Sequence, residues 1–132
     1  MRIGVPKETA AGEHRVALVP EVVHKLTAKG LDVLVQDGAG ADALLPDDAF
    51  VAAGARMTGD AAEIWSSDVV VTIAPPDAQT ILGLGEGSIL IGFLAPLTSP
   101  VTTRALADAK ATAFAMEAIP RISRAQAMDA LS

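Results

Sequence analysis

The sequence has no cysteine and no tyrosine, and one tryptophan and three phenylalanines are its only aromatic residues. Without cysteine there is no disulfide framework and no thiol chemistry, a composition that suits a reducing compartment. With aromatics at 3% and hydrophobic residues at 51%, the core has to be built from Ala, Val, Leu and Ile. Histidine is scarce: His14 and His24 are the only two, and no carboxylates stand at ligand spacing around them, so no metal site is expected. Lys and Arg never cluster, and the net charge is -6, which argues against a nucleic-acid partner. No apolar run approaches the ~20 residues of a membrane span. Strand-like I-G-V begins at residue 3 with no basic-then-apolar leader ahead of it, so no signal peptide is expected.

What is present reads as one folded domain. The 132 residues, 20% of them charged, are enough for a compact unit of ordinary size. Residues 2–5 form a short apolar run ending at Pro6, and 32–36 (D-V-L-V-Q) a second. The stretch 68–74 (D-V-V-V-T-I-A) is β-branched and apolar on both faces, as a buried parallel strand requires. Further strands are expected at 55–58, 88–94 and 112–116. Between them lie helix signals. Pro20 opens a helix that Gly30 closes, Pro46-Asp47-Asp48 opens another, Asp60 caps a third, Asp77 starts a fourth and Pro100 a fifth. Strands alternating with short helices predict an α/β fold: a mainly parallel sheet with right-handed crossovers, flavodoxin- or Rossmann-like.

Two glycine-rich stretches invite a nucleotide reading. Gly38-Ala39-Gly40-Ala41-Asp42-Ala43 fits G-x-G-x-x-A after a strand. It runs into Leu44, Leu45 and Pro46 instead of a helix, and Asp60, about 20 residues on, is not at a strand end, so it reads as a surface turn. Gly83, Gly85 and Gly87 precede a strand, the reverse of a phosphate cradle. Ser66-Ser67 has no base in a recognisable pattern and reads as a turn, and Trp65 reads as a packing residue.

The chain end is the richest stretch: P-R-I-S-R-A-Q-A-M-D-A-L-S, Pro120 to Ser132. If a helix starts near Ser123, Gln126, Asp129 and Ser132 share one ridge at i, i+3 and i+6, while Ala125, Met128 and Leu131 form a neighbouring apolar stripe. Ser123 and Gln126 also match a capping box, and Arg121 and Arg124 could be solvated. On spacing alone both readings stay open, a polar ridge facing a ligand and an ordinary helix start.

This tail resembles the loop of the NAD(H)-binding component of the proton-translocating NAD(P) transhydrogenases. The opening M-R-I-G-V-P-K-E, with E-x-R-V-A-L-V-P from Glu13 to Pro20, is similar to the N-terminal domain that transhydrogenases share with alanine dehydrogenases. The resemblance runs the whole chain, so residues 1–132 are expected to be one such N-terminal domain, a fragment to which the NAD-binding Rossmann domain would be added. It implies hydride transfer between NAD(H) and NADP(H) coupled to proton translocation. Arg121, Gln126, Asp129 and Ser132 fall by motif position on residues that lie over the nicotinamide end of NAD(H), with Gln126 and Asp129 nearest the chemistry. It implies as partners the remainder of an alpha subunit, a membrane domain and an NADP(H)-binding beta subunit, and a homodimer lying peripherally on the cytoplasmic face of the membrane. The isolated chain is expected to be nearly inactive.

An alanine dehydrogenase-like amino-acid dehydrogenase is the alternative within the resemblance. There, Arg15 would hold a keto-acid carboxylate. Such enzymes also need a Lys at the end of the strand before Pro75 and a His after the later strand. Thr72 and Ile73, then Ala95 and Pro96, offer neither amine nor imidazole to protonate a carbonyl. Arg15 is therefore expected to be structural, paired with Glu8 or Glu13. A non-catalytic docking module, using the apolar tail stripe as its contact, is the third reading.

Overall fold

The computed structural model describes residues 1–93 and 100–116. Six strands form a single sheet in the order β3-β2-β1-β4-β5-β6, and every neighbouring pair is parallel. The strands are β1 (Arg2–Val5), β2 (Asp32–Gln36), β3 (Arg56–Thr58), β4 (Val69–Val71), β5 (Ile89–Gly92) and β6 (Thr112–Ala115). The helices between them are α1 (Pro20–Ala28), α2 (Asp47–Ala52), α3 (Ala61–Trp65), α4 (Ala78–Ile81) and α5 (Pro100–Ala109). This strand order is the doubly wound Rossmann arrangement. The chain builds outward from β1 in one direction, returns to the centre, and builds outward from β4 in the other.

Local chemistry sets the helix ends. Pro20 occupies the first turn of α1, where its missing N–H costs nothing, and Gly30 takes φ +85 to end it. The Asp60 carboxylate caps α3 by accepting from the Ala62 N–H at 3.0 Å, and Asp77 caps α4 by accepting from the Thr80 N–H at 2.8 Å.

Alternation along the strands divides the core in two. Ile3, Val5, Val33 and Val35 pack with Val23 and Leu26 of α1 and Phe50 of α2. On the other face, Val70 and Leu90 pack with Ile81, Leu84 and Ala105 beneath α4 and α5. Burying each of these aliphatic side chains stabilises the fold by roughly 1.5–3 kcal/mol. Between β1 and α3 there is no room for a side chain: a Cβ on Gly4 would lie 2.5 Å from the Ile64 carbonyl oxygen and 2.7 Å from Ser67 Oγ. The Arg2 side chain reaches the same helix end and donates to Ser67 Oγ, Ser66 Oγ and the Glu63 carbonyl.

The element positions follow the sequence expectations closely, with one instructive difference. The expected strand 68–74 is shorter and ends at Val71. The Thr72 N–H still donates to the Ile91 carbonyl of β5. The N–H groups of Ile73 and Ala74 donate to the Glu8 carboxylate, while the Ile73 carbonyl still accepts from the Phe93 N–H at 3.2 Å.

Candidate functional site

The order of the sheet reverses between β1 and β4, and open α/β sheets take ligands in the crevice outside the carboxyl ends of the strands at such a point. Here that crevice has a volume of about 370 Å³ and is walled by the loops that follow β1 and β4. Glu8 ties the two walls together. Its Oε2 accepts from Ile73 N–H and its Oε1 from Ala74 N–H, both at 3.0 Å. Burial pushes the Glu8 carboxyl above its ordinary range, against the opposing pull of those two amides. Next to it, the Lys7 N–H donates to Gln36 Oε1 at 2.8 Å, which ties the β1 loop to the end of β2.

Arg15 is engaged by Glu13, one of its two expected partners. Nε donates to Oε2 and a terminal guanidinium nitrogen donates to Oε1, both at 2.9 Å, and the Arg15 backbone N–H adds a third bond at 3.1 Å. The hydrogen bonds from Arg15 hold the Glu13 carboxyl down at about 2. This planar fork occupies two of the side-chain donors of Arg15.

The glycine-rich turn at 38–40 serves packing. Gly40 is buried, and a Cβ there would stand 2.7 Å from both the Leu45 carbonyl oxygen and the Phe50 ring. Glycine is needed because α2 approaches closely. The turn then ends in a 3₁₀ turn, Ala41–Ala43, with Leu44 left-handed at φ 62, so no helix N-terminus points at the loop. The turn after β1 carries Pro6, Lys7 and Glu8, and α1 starts only at Pro20. Among the described residues, neither turn fits the pyrophosphate of a dinucleotide. His24 is exposed on α1. Trp65 packs partly buried against the α4–α5 core, and Ser66-Ser67 form the turn before β4. No group of three or more metal-ligating side chains occurs among the described residues.

Arg121, Gln126, Asp129 and Ser132 lie outside the described residues, as do Ala95 and Pro96. At the end of β4 stand Thr72, Ile73 and Ala74, with no amine.

Comparison with known proteins decides the family. The sequence model of the alanine dehydrogenase/PNT N-terminal domain matches residues 4–132. This chain belongs to that family. It is 42% identical, across its whole length, to the NAD(P) transhydrogenase subunit alpha of Haemophilus influenzae. The crystal structure of transhydrogenase from Sinorhizobium meliloti covers 98% of the chain at 40% identity and a TM-score of 0.87. An L-alanine dehydrogenase structure covers 94% at 31% identity, with a TM-score of 0.87. The chain spans 26%, 39% and 34% of the lengths of these three relatives.

In this chain the opening stretch M-R-I-G-V-P-K-E supplies β1 and the Lys7–Glu8 crevice wall, and E-x-R-V-A-L-V-P begins with the Glu13–Arg15 fork. Sequence reasoning missed Glu8 as the tie between the β1 and β4 loops. The available signal was Pro75-Pro76 directly after Ile73-Ala74, since prolines that cannot join a ladder leave the preceding amides in need of another acceptor.

Proposed function

We propose that this chain is the N-terminal part of an NAD(P) transhydrogenase alpha subunit and contributes to hydride transfer between NAD(H) and NADP(H). The observation that carries this choice over an amino-acid dehydrogenase is the β4 end, where Thr72, Ile73 and Ala74 offer no amine to protonate a carbonyl. The tail P-R-I-S-R-A-Q-A-M-D-A-L-S supports the transhydrogenase side.

Hydride transfer between nicotinamides needs two rings held face to face with water excluded, and the protein's part is orientation and electrostatics. In this reading NAD(H) supplies the hydride chemistry, and its adenosine and pyrophosphate are held by a separate Rossmann domain. Arg121, Gln126, Asp129 and Ser132 cover the nicotinamide end. Gln126 offers both a donor and an acceptor to a carboxamide or ribose hydroxyl. Asp129 accepts from a ribose hydroxyl or fixes Arg121, and Ser132 adds a small donor. The proposed partners are the remainder of an alpha subunit, a membrane domain that couples transfer to proton movement, and an NADP(H)-binding beta subunit. The active form is a dimer lying peripherally on the cytoplasmic face of the membrane.

The test is single-turnover hydride transfer in a transhydrogenase assembled with this chain. Gln126→Ala and Asp129→Ala should each slow the transfer step by about 100-fold, the scale of misorienting a bound reactant. Rates near wild type would remove the loop from the chemistry.

A further inference from the structure

Helices α1 and α2 pack on β1 and β2, and the same face of the sheet stays partly open over β5 and β6. Leu90, Ala113 and Ala115 belong to the opposite side, in the α4–α5 core. Val71, Ile91 and Phe114 pair in register across β4, β5 and β6, so they share the open face. Along this row burial falls away from α1: Val71 is buried, Ile91 half-buried and Phe114 51% exposed. Phe93, just past β5, is 41% exposed, whereas the third phenylalanine, Phe50, is fully buried. Between α1 and this face runs a groove of about 180 Å³, lined by Leu18, Val22, Val71, Ile91, Phe93 and Met116. Among its described lining residues Thr72 alone has a polar side chain, and the Thr72 hydroxyl oxygen is closed off within the protein.

Size and chemistry narrow the occupant. The groove is smaller than the ~300–1,000 Å³ of small-molecule sites and has almost no polar group to orient a ligand, so it suits aliphatic side chains. Its place is the carboxyl end of β4, β5 and β6, the end at which open α/β sheets take ligands. The chain passes Met116, a wall of the groove, and residues 117–132 follow. They carry the stripe Ala125, Met128 and Leu131 beside the polar ridge Gln126, Asp129 and Ser132. Residues 117–122, extended, reach about 20 Å, enough to bring the stripe back onto the groove. We propose that Met128 and Leu131 seat in the groove between α1 and the β5–β6 face, and that this docking presents the Gln126–Asp129–Ser132 ridge at the carboxyl end of the sheet. Stripe and ridge are neighbours on one helix surface, so burying the first exposes the second. Met128 and Leu131 are then positioning residues for the ridge. That consequence rests on the transhydrogenase reading, whereas the docking itself does not.

The chain has four methionines, Met1, Met57, Met116 and Met128, so carbon-13 labelling of their methyl groups gives four NMR signals, and Met128→Ala assigns the one at issue. In the full 132-residue chain the proposal expects nuclear Overhauser contacts from the Met128 methyl to the Phe93 ring and the Val22 methyls, unchanged by dilution. A Met128 methyl at its free-peptide shift with no contact to either residue would overturn it. So would contacts found only between differently labelled copies, which would put a second copy in the groove. The positioning role has its own readout. In an assembled transhydrogenase, Met128→Asp should slow single-turnover hydride transfer about tenfold, and Met128→Leu, which keeps the apolar contact, should restore it. A wild-type rate in Met128→Asp would overturn that role. The two readings fail separately: an undocked Met128 with transfer slowed by Gln126→Ala sinks the docking alone, and a docked Met128 with transfer indifferent to Gln126→Ala sinks the nicotinamide reading alone.

Discussion

Glu8 Oε1 accepts the Ala74 N–H at 3.0 Å, a bond between residues 66 positions apart that joins the two halves of the sheet where its order reverses. Its sister bond to the Ile73 N–H has the same length. Together they hold the β4 loop against the β1 loop as a wall of the crevice. Glu8→Ala would leave two part-buried amides without their acceptor. The expected cost is about 1–3 kcal/mol, read as a lower denaturation midpoint with an unchanged m-value. Hydrogen exchange at Ile73 and Ala74 should speed up more than exchange in β2. A midpoint within about 0.3 kcal/mol of wild type would mean that water replaces the carboxylate without loss.

Gly4 and Gly12 should respond to alanine very differently. A Cβ at Gly4 meets the Ile64 carbonyl oxygen at 2.5 Å, so α3 has to move off β1. Gly12, at φ +79, has nothing within 4 Å and meets only the left-handed backbone penalty. Thermal unfolding should show Gly12→Ala costing about 1–2 kcal/mol, and Gly4→Ala costing more, about 3 kcal/mol, as an overpacked contact against backbone. Equal losses would place α3 further from the sheet than described.

Phe50 links the Gly38–Gly40 turn to the core. It is fully buried on α2, and its ring lies where a Gly40 side chain would be. Phe50→Ala should cost about 3–5 kcal/mol by equilibrium denaturation, as the transfer and cavity contributions add. Gly40→Ala should destabilise through the same contact from the other side. A Gly40→Ala variant as stable as wild type would return that turn to consideration as a ligand loop.

The Glu13–Arg15 fork makes a signed prediction for pH. The Glu13 carboxyl titrates near 4.5 in the unfolded chain and at about 2 in the folded one, because Arg15 holds it in the charged form. As pH falls through this window the unfolded chain binds a proton that the native chain does not, so the stabilisation present above pH 4.5 is lost towards pH 2. Asp32, drawn down by Arg56, and Asp77, drawn down by the Thr80 hydroxyl and amide, act with the same sign. Glu8, raised by burial, acts with the opposite sign. Glu13→Gln should therefore flatten the acid limb of a stability–pH curve. An acid limb identical to that of wild type would mean that the fork does not persist in solution.

Much of this fold is legible in the sequence because its signals are local. Pro20, Asp60, Asp77 and Pro100 mark helix starts by backbone chemistry, and the β-branched run at 69–71 can be buried on both faces only in a parallel sheet. The G-x-G-x-x-A turn lacks its helix in the sequence, and the Phe50 contact gives the physical reason for its glycine. The end of β4 is not legible. Ile73 and Ala74 look like strand, and the acceptor of their amides is a carboxylate from more than 60 positions away, Glu8. The crevice escapes the sequence for the same reason, since Lys7, Gln36 and Thr72 meet only once the strand order is known.

If this chain covers the nicotinamide of an NAD(H) whose phosphates are held elsewhere, it should bind the nucleotide only in the company of a Rossmann domain. Calorimetric titration of NADH decides this most directly. One sample is the 132-residue chain, and the other is the Sinorhizobium meliloti transhydrogenase carrying this sequence in place of its own matching region. Saturable binding is expected of the chimera, weakened by Gln126→Ala, and none of the short chain alone at the same concentrations. NADH binding of similar strength by the short chain would contradict this reading, because a turn assigned here to packing would then be holding the nucleotide.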